Sequence, residues 1–119
     1  MSKEIQKLSG MFSALSTLDK DMSIQQMQVL LMIAENPGMT QAEIGAKLDI
    51  STTNMNRWVG ELEAKSAKRH TVTKLPLPGL AWVMKQEDPM HRSRKPLVLT
   101  AKGKQVLDNL FRYLWGSML

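Results

Sequence analysis

At 119 residues, with 43% hydrophobic and 23% charged side chains, the chain has the size and balance of one ordinary domain that can bury a core, not of a disordered chain. It contains no cysteine, which excludes a disulfide framework, a thiolate zinc site and thiol redox sensing; its first residues alternate polar and apolar side chains, so no signal peptide, no membrane association and a cytoplasmic location are expected. The net charge of +5 is unevenly placed, residues 1–50 being net acidic and 51–119 net basic, as in a protein with a polyanion-binding face.

Ile5, Leu8, Phe12, Leu15 and Leu18 recur at steps of three and four and predict an amphipathic helix within 1–20. Ser23 and Gln26 form a capping-box pair for a second helix with Met27, Leu30, Leu31 and Ala34 on one face, and Asn36-Pro37-Gly38 stops it. Thr40 and Glu43 repeat the pattern for a short third helix, where Ile44 and Leu48 face inward and Ala42, Gly45 and Ala46 permit a close crossing. After the turn Asp49-Ile50, Ser51 caps a fourth helix running to about Lys65, with Met55, Trp58, Val59 and Leu62 as its buried stripe.

Residues 66–79 read as a basic loop, a solvated connection being favoured over an extra contact to the polyanion. The apolar runs Leu80–Met84 and Leu97–Leu99 predict a hairpin with a long tip over 80–100, and Thr100 caps a last helix over 101–119 with the stripe Val106, Leu107, Leu110, Phe111, Leu114 and Trp115. The expected architecture is a single mainly α domain, 1–119, with a small β-hairpin: a winged helix-turn-helix over 23–65 and 80–100, flanked by N- and C-terminal helices.

Two short helices joined by a tight turn suit a duplex, because the major groove admits one helix. The outward residues of the fourth helix match base edges: Asn pairs with adenine, Arg with guanine, and Thr offers a hydroxyl and a methyl. The hairpin tip, Asp88 to Pro96, concentrates Arg92, Arg94 and Lys95 beside His91, which suits phosphates or the minor groove, and Asp88 is expected to orient Arg92. The candidate DNA contacts are therefore Ser51, Thr52, Thr53, Asn54, Asn56 and Arg57 on the helix, and His91, Arg92, Arg94 and Lys95 on the wing.

The run Leu48-Asp49-Ile50-Ser51-Thr52-Thr53-Asn54-Met55-Asn56-Arg57, together with Asp88-Pro89, Arg92 and Leu99-Thr100 followed by Gly103, resembles the MarR (multiple-antibiotic-resistance regulator) winged-helix family. The resemblance spans Ile24 to Val106, interrupted by the unmatched Ser66 to Pro78. It implies a double-stranded DNA-binding transcription regulator, a repressor by preference, with Thr53, Asn56 and Arg57 on the base-reading helix and Arg92 as the wing arginine. The alternative is a winged-helix replication or partition factor of a phage or plasmid, which reads DNA with the same parts.

With two distant histidines, no Gly-rich phosphate loop and no metal-ligand cluster, neither an enzyme nor a cofactor or metal protein is expected, and His70 reads as a solvated loop residue. Whether a small-molecule effector binds is left open. The apolar first and last helices carry more large side chains than one small domain can bury, so a homodimer through them is expected.

Overall fold

The computed structural model describes residues 2–118 except 19–21, 64, 70, 75 and 92; at 17–18, 65–69, 76–78 and 113–118 the backbone alone is described. Helix α1 (Lys3–Leu18) packs against the C-terminal helix. Much of its expected apolar stripe remains open to solvent in the single chain, with Ile5 49%, Leu8 52% and Phe12 42% exposed, while the Leu18 side chain lies outside the described residues.

Helix α2 (Ile24–Glu35) starts where Ser23 Oγ accepts the Gln26 backbone N–H at 3.0 Å, but the expected capping box does not close. Gln26 instead falls on the buried face, 2% exposed, and its amide donates to the Trp58 carbonyl at 3.3 Å and to Glu61 Oε2 at 3.1 Å. A buried amide must be satisfied where it lies, and the next helix but one lies there. The α2 stripe is also broader than expected and rotated: Val29, Leu30 and Ile33 are fully buried beside Met27, whereas Leu31 is 38% exposed. The cause is that α2 is packed from more than one side, by α3 (Gln41–Leu48), α4 (Thr52–Leu62) and the second wing strand.

Helix α3 begins at a complete capping box between Thr40 and Glu43 and ends at Asp49 in the left-handed conformation (φ 55°). Helix α4 is capped by Ser51 Oγ, which accepts the Asn54 N–H, and it buries Met55, Trp58, Val59 and Leu62 as expected. Of the three small residues on α3, Gly45 makes the close crossing: a Cβ there would lie 3.1 Å from Met55 Cγ, whereas Ala42 and Ala46 are exposed.

Helix α4 ends at Leu62, short of the expected 65, and the stretch expected as a loop over 66–79 is a two-stranded antiparallel ribbon. Strand β1 (Lys65–Arg69) pairs with β2 (Pro76–Pro78), setting Lys65 opposite Pro78 and Arg69 opposite Pro76 with an irregular register. A free-edged ribbon tolerates proline because the missing donor can face outward. His70 lies outside the described residues.

The ribbon leaves and returns at one point, since a Cβ on Gly79 would meet the Glu63 carbonyl oxygen at 1.8 Å. Leu80, Ala81 and Trp82 are then not part of the strand that the apolar run Leu80–Met84 had implied. Their N–H groups donate to the carbonyls of Glu61, Glu63 and Leu62, satisfying acceptors that a helix end leaves open.

The wing proper is β3 (Val83–Lys85) antiparallel to β4 (Leu97–Leu99), with Val83 opposite Leu99 and Lys85 opposite Leu97. The segment before α3 joins it: Gly38 N–H donates to the Leu97 carbonyl, Leu97 N–H to the Met39 carbonyl, and Thr40 bridges Pro96. Helix α5 (Ala101–Met118) is capped by Thr100, whose hydroxyl accepts the Gly103 N–H and donates to the Ala81 carbonyl. Leu107 and Leu110 are buried and Phe111 is 39% exposed, while the side chains of Leu114 and Trp115 lie outside the described residues. Among the described residues this is a mainly α fold of five helices with a hairpin wing, centred on Leu30, Ile33, Ile44, Leu62 and Leu97.

Candidate nucleic-acid interface

Burial of Met55, Trp58, Val59 and Leu62 fixes the rotation of α4, and the opposite face follows from the helical period. Ser51, Thr52, Thr53, Asn56 and Arg57 are exposed, whereas Asn54 is half-buried with its backbone N–H committed to the cap. The Arg57 guanidinium lies over the Trp58 ring, 5.6 Å from its centroid, which restricts its plane and lowers the entropy lost when it engages a ligand. Asn56 Oδ1 accepts a hydrogen bond from Gln41 Nε2, a contact between the two helices that the sequence patterns do not single out.

In the wing tip Asp88 Oδ1 accepts the Met90 N–H at 2.9 Å, and successive turns bond His91 N–H to the Asp88 carbonyl and Arg94 N–H to the His91 carbonyl. His91 and Lys95 are exposed; Arg92 and its expected pairing with Asp88 lie outside the described residues. Arg94 differs from the expectation of a free cation. It is half-buried, donating through NH2 to the Gly38 carbonyl and to Glu43 Oε1, both at 3.0 Å, while NH1 lies 3.7 Å from Asp88 Oδ2.

Arg94 thus ties the wing tip to the N-terminus of α3 and neutralises a carboxylate of that helix. The Glu43 carboxyl is held below its ordinary pKa, first by the Thr40 backbone N–H, then by the Thr40 hydroxyl, and further by the Arg94 charge. A lowered carboxyl pKa favours the folded form above the unfolded-state value, and that contribution disappears only as the pH falls through the folded-state value. Cap and clamp should therefore persist through mild acidification.

These contacts separate two neighbouring cations. Lys95→Ala is expected to flatten the salt dependence of duplex binding by about one unit of log–log slope, as loss of one phosphate contact does. Arg94→Ala is expected to leave the slope unchanged while lowering wing order. Equal flattening by both variants, measured in a salt titration, would place Arg94 on phosphate as well.

Among the described residues no group of three or more His, Cys, Asp or Glu stands together as a metal site, and no helix is long and apolar enough to cross a membrane.

The geometry is that of a winged helix-turn-helix, and comparison with known proteins places it. Residues 20–66, which contain α2, α3 and α4, match the model of the MarR family, so the resemblance carried by the run Leu48 to Arg57 holds. Comparison with curated protein sequences finds no match. Among solved structures, RV1404 from Mycobacterium tuberculosis is similar over 97% of this chain and 68% of its own, with a TM-score of 0.74 and 14% identity. The transcriptional repressor CouR, bound to a 23-mer DNA duplex, is similar over 94% of this chain and 67% of its own, with a TM-score of 0.66 and 21% identity. The S. aureus MepR–DNA complex covers 98% of this chain and 78% of its own, with a TM-score of 0.67 and 18% identity. At these identities the structural likeness establishes the fold.

Proposed function

We propose that the protein is a sequence-specific, double-stranded DNA-binding transcription regulator of MarR type that acts as a repressor by occupying promoter DNA. The observation that carries this reading is the exposed edge Thr53, Asn56 and Arg57 on a helix whose other face is locked into the core, beside a wing tip presenting His91 and Lys95. The fold is shared with CouR and MepR, both solved with DNA, and CouR is a transcriptional repressor. Those likenesses favour promoter control over a replication or partition role.

The protein acts as a homodimer through α1 and α5. Ile5, Leu8, Phe12 and Phe111 are exposed on this pair of packed helices, and beside them an apolar hollow of about 230 Å³ is lined by Met11, Phe12, Leu15, Ile24, Leu110 and Phe111, among others. An open apolar surface of this kind favours a partner over water. Two-fold symmetry then sets two reading helices about 34 Å apart and calls for a pseudo-palindromic operator.

The test is selection of bound duplexes from a random pool, followed by Arg57→Ala. On the selected site this variant should lose about 1–3 kcal/mol of binding free energy, with much less lost on random DNA. Equal loss on both would reduce Arg57 to a phosphate contact, and a pool without enrichment would overturn sequence-specific recognition.

A further inference from the structure

Four of the cations behind the net charge of +5 lie within residues 65–78, a stretch with no acidic side chain, so most of the excess is concentrated there. Lys65, Lys68 and Arg69 are on β1, and Lys74 follows the turn that leads to β2. Residues 71–74 are all exposed. The match to the MarR family model ends at residue 66, just inside β1, so the ribbon is a feature that the matched model does not supply.

The base of the ribbon is fixed to the end of α4. β1 packs against that helix, the Glu63 and Gly79 backbones abut, and the N–H groups of Leu80, Ala81 and Trp82 hold the carbonyls of Glu61, Glu63 and Leu62. Asn56 and Arg57 are exposed, whereas Gly60 is half-buried, so the open edge of α4 closes as the helix nears the ribbon. Glu61 and Glu63 have partners of their own, the Gln26 amide and, at 3.4 Å, Lys85.

A helix of 11 residues is about 16 Å long, while the major groove is about 12 Å wide and about 8.5 Å deep. If its N-terminal turns meet the bases, its C-terminal end stands at the rim, where the phosphates are. A basic ribbon rooted at that end meets the charge it complements. A second copy of this chain suits it poorly, because like charges repel and Pro76 and Pro78 leave β2 short of the donors that a further strand would need.

We propose that the β1–β2 ribbon is a second phosphate-binding element beside the wing, with Lys65, Lys68, Arg69 and Lys74 set against the duplex backbone where the C-terminal end of α4 leaves the groove. The inference rests on the DNA-binding reading above. The ribbon lengthens the contact along the duplex and adds affinity on any sequence, because phosphates carry no base information.

The test combines Lys68→Gln, Arg69→Gln and Lys74→Gln in the full chain and titrates duplex binding with salt, on the selected site and on random DNA. The log–log slope should flatten by about two to three units on both, with affinity lost to a similar extent on each. Lys74→Gln alone, in the exposed turn, should flatten it by about one unit, which keeps the test sound if the triple variant unfolds. Exchanging the cations instead (Lys68→Arg, Arg69→Lys, Lys74→Arg) should leave slope and affinity as in the wild type. An unchanged slope in the neutralised variants, or equal flattening in the charge-keeping variant, overturns the phosphate role and leaves base recognition by Arg57 standing. Unchanged duplex binding with weakened binding to an RNA hairpin overturns it in favour of an RNA contact. A wild-type protein without affinity for duplex DNA overturns it together with the DNA-binding reading itself.

Discussion

Phe12→Glu is expected to convert the protein to monomers and to lower its affinity for a palindromic operator by about two to four orders of magnitude, because a single half-site forfeits the linked second binding event. Phe12 lies on the open stripe of α1 and in the wall of the hollow it shares with Leu110 and Phe111. A carboxylate at that place would have to be buried against the second copy without a partner charge. The substitution spares the core of the single chain, since Phe12 is already 42% exposed there, whereas truncation before Leu110 would remove a buried side chain. Sedimentation at micromolar concentration, paired with operator titration, is the check. A dimer that persists with unchanged affinity would locate the interface elsewhere.

Gly103→Ala is expected to destabilise the fold by about 3 kcal/mol, the upper end for an overpacked site. A Cβ at this position would lie 2.1 Å from the Trp82 carbonyl oxygen, and the obstacle is backbone, which cannot swing aside as a flexible side chain can. The sign makes the prediction sharp, because glycine to alanine in an open helix normally stabilises by up to about 1 kcal/mol. Urea unfolding measures it. A stabilised variant would mean that α5 does not press on the segment entering the wing, and the closure between Thr100, Ala81 and Gly103 would have to be redrawn.

The resemblance to the MarR family was legible because its residues report local and close-packing demands. The Leu99-Thr100 pair and Gly103, for example, mark a strand end, a helix cap and the point where α5 touches Trp82. The exposed face of α4 was legible for the same reason: once Met55, Trp58, Val59 and Leu62 point inward, the helical period places Thr53, Asn56 and Arg57 outside. The wing was only half legible. Its strands show as short apolar runs, but such a run could not tell that Leu80 to Trp82 would cap α4 before pairing begins at Val83.

Local residue order is enough to set the elements whose physics is confined to one turn of chain: the caps at Ser23, Thr40, Ser51 and Thr100, and the stripes that bury α4 and the first part of α5. The packing of the folded chain sets where the polar side chains place their hydrogen bonds. Gln26 looks like half of a capping box, yet bonds Glu61, 35 residues away; Arg94 looks like a free cation, yet bonds Glu43, 51 residues away; Asn56 looks like a free reader, yet is met by Gln41. It also decided that the basic stretch after α4 pairs with itself as a ribbon, because Glu63 and Gly79 come together in space. Caps and stripes answer to the backbone period, which any local window of sequence contains. A donor's partner depends on which group the folded chain brings within about 3 Å, and sequence spacing does not encode that distance.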